Sequence, residues 1–194
     1  MATSFASITN MIRMDHTHVL ALFRRYRPDT SRNRKWALIN NACLALEIHA
    51  KLEEEIFYPA LRRVLGPDPI LEKSVPEHDE MRWMIETLRS REAEDVQDDR
   101  AFRELLRNVL HHVADEETML LPQAEELLKD ELNSLGLQMT KRRMQLLAPH
   151  AGEVATTTAR SFPIATAALA GAAGLGLLLL GSRSTRQARM LPKH

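Results

Sequence analysis

Two stretches of this chain share one pattern. The first is His49-Ala50-Lys51-Leu52-Glu53-Glu54-Glu55-Ile56-Phe57-Tyr58-Pro59 and the second His112-Val113-Ala114-Asp115-Glu116-Glu117-Thr118-Met119-Leu120-Leu121-Pro122. Both read His-x3-Glu-Glu-x4-Pro. On a helix, residues four apart share a face, with Cβ atoms about 5–6 Å apart. His49 therefore projects with Glu53, and His112 with Glu116. The apolar stripe shows where they point. It runs Ile39, Ala42, Leu46, His49, Glu53, Ile56, Ala60 in one copy, and Phe102, Leu105, Val109, His112, Glu116, then Met119 or Leu120 in the other. Each His-Glu pair thus falls on the stripe that a helix buries. An isolated buried carboxylate is costly or takes up a proton, so buried acids are as a rule paired or bound to metal.

The surrounding sequence supplies helices to carry this pattern. Long stretches lack both Gly and Pro and are rich in Leu, Ala, Glu and Arg, an all-α signature. The first helix is expected from Ser4 or Ser7 to Arg27, stopped by Pro28, with His16 in the series Ile8, Ile12, Val19, Phe23. The second opens at Thr30 or Ser31 and reaches Leu65, with Pro59 kinking it or ending its regular part. Gly66-Pro67-Asp68-Pro69 is a turn. The third covers 70–91, is disturbed at Pro76, and places His78 between Leu71, Val75 and Ile85. The polar stretch 92–99 is a loop. The fourth helix runs 99–132, and after Asn133-Ser134-Leu135-Gly136 a short fifth helix covers 137–147. Short connections make neighbours antiparallel, so the expectation is an up-down-up-down four-helix bundle over residues 1–148.

The remainder differs in kind. Residues 149–161 read as a linker. Residues 162–181 contain a run of 19 uncharged residues, 162–180, which as a helix is roughly 28 Å long against a hydrocarbon core of about 30 Å. Ala167 and Gly171, then Ala172 and Gly176, have small-xxx-small spacing. Arg160 precedes the run, and a basic tail, 182–194, follows with Arg183, Arg186, Arg189 and Lys193. This segment is expected to be a membrane-spanning helix; an Ala-rich helix docked on the bundle is the alternative. Residues 1–14 lack the basic and then apolar regions of a signal peptide. A cytoplasmic domain anchored to the inner membrane by its C-terminus follows as the expectation.

Composition narrows the chemistry. The formal charge is zero, so nothing marks a nucleic-acid surface. Cys43 is the single cysteine, which excludes an intramolecular disulfide and Cys-rich metal sites; packing is its expected role. Four inward histidines, His16, His49, His78 and His112, then join two inward carboxylates, Glu53 and Glu116. Six such groups exceed the needs of one tetrahedral ion and suit two ions bridged by carboxylates. Mixed imidazole and carboxylate donors suit iron, with manganese and zinc as competitors. A buried His-Glu salt-bridge network is the bland alternative, and a poor source of stability. Glu54, Glu55 and Glu117 are expected to face solvent, as are His18, His111 and the basic run Lys141-Arg142-Arg143; His150 and His194 belong to the tail.

Asp15-His16, His49-x3-Glu53, Glu77-His78 and His112-x3-Glu116, with Pro59 and Pro122, resemble the hemerythrin-like (HHE cation-binding) domain over roughly residues 8–147. The resemblance implies a non-haem di-iron centre that binds dioxygen, NO or peroxide, with the four histidines as terminal ligands and Glu53 and Glu116 as bridges. Oxygen-carrying members have a further His one turn after the third-helix His; here that position is Arg82. The four-His, two-Glu set also resembles di-iron proteins that repair iron–sulfur clusters, but their Cys-containing N-terminal domain is missing. Sensing, scavenging or delivery of a small ligand is the leading expectation. A di-iron enzyme (oxidase, peroxidase or NO-detoxifying) and a metal-dependent interaction or signalling module are the alternatives. The Glu-x-x-His signature of ferritin-like enzymes is absent, since Leu46, Val75 and Val109 precede His49, His78 and His112 by three.

Overall fold

The computed structural model describes residues 7–90 and 99–152. Helix α1 (Ile8–Arg25) opens on Ser7, whose hydroxyl accepts from the Asn10 amide, and stops at Tyr26 just before Pro28. Helix α2 (Arg32–Leu52) passes through a π-turn (Glu53–Phe57) into α3 (Tyr58–Leu65). Gly66, at φ +75°, ends that rod in a conformation open to glycine. The Asp68 carboxylate accepts from the Ile70 and Leu71 amides and starts α4 (Pro69–Arg89). Helix α5 (Asp99–Asp115) passes through a second π-turn (Glu116–Leu120) into α6 (Leu121–Leu127). Helix α7 (Leu132–Leu147) follows, with a 3-10 turn at Ala148–His150. The α1, α2–α3, α4 and α5–α6 rods alternate up and down as an all-α four-helix bundle, and α7 packs across α1 and α2.

Three local features differ from the sequence expectation. Helix α4 continues unbroken through Pro76. Pro76 lies on the exposed face, so the Glu72 carbonyl left without its helical donor can turn to water. Residues 133–136, expected as a loop, lie inside α7, and the turn falls instead at 128–131. Leu135, Gly136 and Met139 are buried against the bundle, so tertiary packing outweighs the weak helix propensity of glycine. Finally, Pro59 and Pro122 do not end their rods. Each follows a π-turn in which the amide of the preceding residue reaches back five positions, Tyr58 to the Glu53 carbonyl and Leu121 to the Glu116 carbonyl. The extra residue rotates the following helix, so Phe57 and Leu120 are fully buried while Met119 is exposed.

The core falls into two apolar blocks. One gathers Val19, Leu22, Leu46, Ile85, Phe102 and Leu105. The other gathers Ile8, Ile12, Leu52, Phe57, Leu71 and Leu121. Each rod contributes to both, and each interrupts its stripe in the same layer with His16, His49, His78 or His112. Cys43 sits inside the first block, its thiol pushed up to about 12 by burial, which suits inert packing. Residues 162–181 and the tail 182–194 lie outside the described residues. Among the described residues, no helix is long and apolar enough to cross a membrane.

Candidate metal centre

All six residues singled out from the sequence meet in the polar layer between the two blocks. His16, His49, His78, His112, Glu53 and Glu116 are each at most 5 % exposed. Donor atoms of His16, His49, Glu53 and Glu116 lie within 4.8 Å of one another, and so do those of Glu53, His78 and His112. The imidazoles form two couples, His16 with His49 (ring centroids 5.0 Å apart) and His78 with His112 (4.6 Å). Each carboxylate joins the couples. Glu53 Oε2 lies 3.2 Å from His49 Nε2 and 3.5 Å from His78 Nε2. Glu116 Oε2 lies 3.2 Å from His16 Nε2 and 3.5 Å from His112 Nε2.

A ring of outer carboxylates orients the imidazoles. Asp15 on α1 faces His49 Nδ1 on α2, at 3.6 Å, an ion-pair distance rather than a hydrogen bond. Glu54 in the first π-turn takes His78 Nδ1 on α4 at 2.8 Å. Glu77 on α4 takes His112 Nδ1 on α5 at 2.9 Å, and Glu117 in the second π-turn takes His16 Nδ1 on α1 at 2.9 Å. Each rod thus serves the histidine of the next, and the fourth serves the first. One expectation needs correction: Glu54 is partly buried. Glu117 is exposed as expected, yet one of its oxygens lies on His16 Nδ1, so both acids border the site. Arg143 is not merely solvated either: its guanidinium makes a two-point contact with Asp15 at 2.5 and 2.6 Å, so α7 also buttresses the centre. Glu55 remains outside and pairs with Arg142.

This ring fixes the chemistry of the inner atoms. At His78 and His112 a carboxylate on Nδ1 draws the imidazole proton there and leaves Nε2 with a lone pair. The two Nε2 atoms then confront each other at 3.0 Å, both as acceptors. His49 Nδ1, His49 Nε2 and Glu53 Oε1 are buried with no hydrogen-bond partner. Such a cluster of inward lone pairs and carboxylates is repulsive by itself and fits cations. The electrostatics differ from group to group, and at His16 burial is outweighed by Glu116 and Glu117, which raise that imidazole. Burial, then the Glu116 charge, pushes Glu53 well above the usual carboxylate range. Burial works the same way on Glu116, but His16, His112 and His49 outweigh it and pull that acid down. Burial lowers His49 to about 4 and lowers His78 as well. For Asp15, burial is outweighed by His49 and Arg143, which hold the acid at about 2.

Tyr58 was not singled out from the sequence, yet it belongs to the centre. It is 1 % exposed, and its hydroxyl donates to Glu116 Oε1 at 2.8 Å while lying 3.3 Å from Glu53 Oε2 and 3.4 Å from His78 Nε2. The π-turn turns it inward, five residues after Glu53. The second repeat has Leu121 at this place, and that asymmetry between the copies was the available signal. On the opposite side, a cavity of about 20 Å³ touches the four imidazoles and is walled by Val19, Leu46, Met81, Ile85 and Val109. One water-sized molecule needs about 10–15 Å³ by the same measure. The space therefore suits a ligand of two or three atoms and excludes organic substrates.

The outer ring carries its own prediction. Glu77→Gln keeps the shape but accepts weakly from His112 Nδ1, so metal affinity is expected to fall by about 10- to 100-fold. Competitive titration against a chelator of known affinity measures it, and an unchanged affinity would remove Glu77 from the site.

A family model described as the hemerythrin HHE cation-binding domain matches residues 7–124. No curated protein and no solved structure matches the chain. The matched span contains all six inner residues, the four outer carboxylates and Tyr58. With that match over most of its length and a buried His-Glu cluster suited to a metal cofactor, the chain belongs to the hemerythrin HHE cation-binding domain family.

Proposed function

We propose that His16 and His49 hold one iron ion, that His78 and His112 hold a second, and that Glu53 and Glu116 are shared between them. One observation carries this reading: four imidazoles turn their Nε2 atoms toward two buried acids, three of them with Nδ1 hydrogen-bonded to an outer carboxylate and the fourth, His49, with Nδ1 3.6 Å from Asp15. Nitrogen and carboxylate donors suit iron, with manganese or zinc as competitors. Iron bound there would supply redox chemistry and an open position for dioxygen, NO or peroxide. The protein's own groups do the rest. The apolar cavity admits a small ligand and little water, and the Tyr58 hydroxyl holds Glu116 Oε1 from the far side. Binding for sensing, scavenging or delivery follows. The full-length protein should carry about two irons per chain, with visible bands that change on adding O2 or NO. Zinc alone, or bands indifferent to both gases, would overturn the proposal.

A di-iron enzyme is the second reading, and Tyr58 favours it, because a buried phenol bonded to Glu116 Oε1 fixes that acid in one orientation, while burial beside Glu53 and Glu116 raises the phenol's own pKa and keeps its proton in place. Repeated turnover of peroxide or NO with a reductant, sharply reduced in Tyr58→Phe, would select the enzyme; a single stoichiometric reaction would select the binder. We further propose that residues 1–148 form the metal-binding domain and that 162–181 anchor it to the inner membrane, the bundle facing the cytoplasm. The uncharged run and its basic flanks support this. Membrane fractionation of the chain with and without residues 161–194 tests it; identical distribution of the two would reject the anchor.

A further inference from the structure

The cavity beside the imidazoles has one polar stretch of wall, Glu47 and Arg82. Beyond that wall lies a solvent cleft lined by Glu47, Lys51, Glu54, Arg82, Glu86 and Arg89. Glu47 and Arg82 are thus shared between the inner cavity and the more open cleft. Their side chains are pinned from outside. The Arg82 guanidinium bonds Glu54 through Nη2 and Asp79 Oδ1 through Nη1 at 2.6 Å. Glu47 is held by Arg89 at 2.5 Å. Both tethers of Arg82 are partly or largely exposed, with Glu54 24 % and Asp79 68 % accessible. Ion pairs at such positions are weak and break readily. Apart from the four imidazoles, the rest of the cavity wall is apolar side chain packed in the core.

We propose that Arg82 is the entry gate of this cavity: small ligands pass between Glu47 and Arg82 when the guanidinium swings off Glu54, and its return closes the space over them. The cleft outside carries three acids and three bases, so it does not sort ligands by charge. Selection is by size, and the class admitted is ligands of two or three heavy atoms, neutral or anionic alike. Arg82 is therefore a positioning residue and not a ligand. Its guanidinium is committed to Glu54 and Asp79, and Met81 fills the inward position on α4. The gate rests on the small-ligand reading above only for the identity of what passes through it.

A gate changes rates without changing the bound state. In Arg82→Ala, the association and dissociation rates of azide with the ferric protein, and of NO with the ferrous protein, should both rise by about tenfold. The dissociation constants should stay within about twofold, with metal content and melting temperature unchanged. Arg82→Lys, which has a point charge in place of the two-pronged fork, should fall between. Glu47→Ala opens the other side of the same passage and should reproduce the acceleration. Rates unchanged in both alanine variants would overturn the gate. So would a shifted dissociation constant with only one rate altered, since that would make Arg82 a tuner of His78 through Glu54. Exchange of water through the passage, followed by 17O relaxation dispersion on the protein as purified, reads the gate whatever ion the site holds. Absent iron would therefore defeat the proposed function while faster water exchange in Arg82→Ala upheld the gate; water exchange unchanged by that substitution would overturn it.

Discussion

Glu116→Ala is expected to abolish binding of both ions, lowering metal affinity by more than about a hundredfold. The outer carboxylates set the scale, since losing one of them costs about 10- to 100-fold. Glu116 does more than they do. Its Oε2 faces one histidine of each couple, His16 at 3.2 Å and His112 at 3.5 Å, and its Oε1 accepts the Tyr58 hydroxyl at 2.8 Å. Truncation removes a negative charge from between the two proposed cation positions and leaves the Tyr58 hydroxyl without its best partner. His78→Ala makes the informative comparison. It strips a donor from one couple only, so it should spare the His16–His49 position and retain about half of the metal. Metal per chain after equilibration against graded chelator measures both, with far-UV circular dichroism confirming that the bundle persists. A Glu116→Ala protein that keeps its full complement would place the centre elsewhere.

The inner six residues were legible because a helical period of 3.6 fixes which positions share a face. Four His and two Glu on buried stripes have little choice but to meet. Their supports were not legible, for a geometric reason. Asp15 and Glu77 each precede an inner histidine by one residue, and adjacent residues on a helix point about 100° apart. Neither can serve its neighbour in sequence; each reaches across to the next rod, Asp15 to His49 and Glu77 to His112. Glu54 and Glu117 follow the same rule one step after Glu53 and Glu116. Each lies in a π-turn whose extra residue shifts the register of an unbroken α-helix, which leaves Glu54 only partly exposed and lets the exposed Glu117 reach His16. That shift also hid Tyr58 and replaced Ile56 by Phe57 on the inner face. Arg143 was hidden because α7 lies outside the repeat, and no periodicity within α7 tells which helix it will cover.

Removing the metal is expected to lower the melting temperature by about 10 °C, and Glu53→Gln to erase most of that difference. A ligand at a thousandfold its dissociation constant stabilises the native state by about 4 kcal/mol, and a chain of this size moves about 2–4 °C per kcal/mol. The second half depends on Glu53 itself. It is 0 % exposed, one oxygen has no partner, and burial and Glu116 push its carboxyl well above its ordinary value of 4.5. An acid whose native pKa is raised holds its proton longer in the folded state than in the unfolded chain. The metal-free protein therefore loses stability as pH climbs above about 4.5, toward the raised native value. The glutamine variant has no charge to desolvate. Without metal it should be more stable than the parent at pH 7, by about 1–3 kcal/mol, and should lack the Glu53 part of that decline. It should also fail to gain stability from iron, because a neutral amide cannot be shared by two cations. Thermal unfolding of both proteins from pH 5 to 8, with and without chelator, reads all of these effects. A metal-free Glu53→Gln protein less stable than its metal-free parent at pH 7 would mean that the carboxylate is held by the fold for its own sake. The predicted opposite sign would show that the bundle tolerates this acid only because a cation occupies the space beside it.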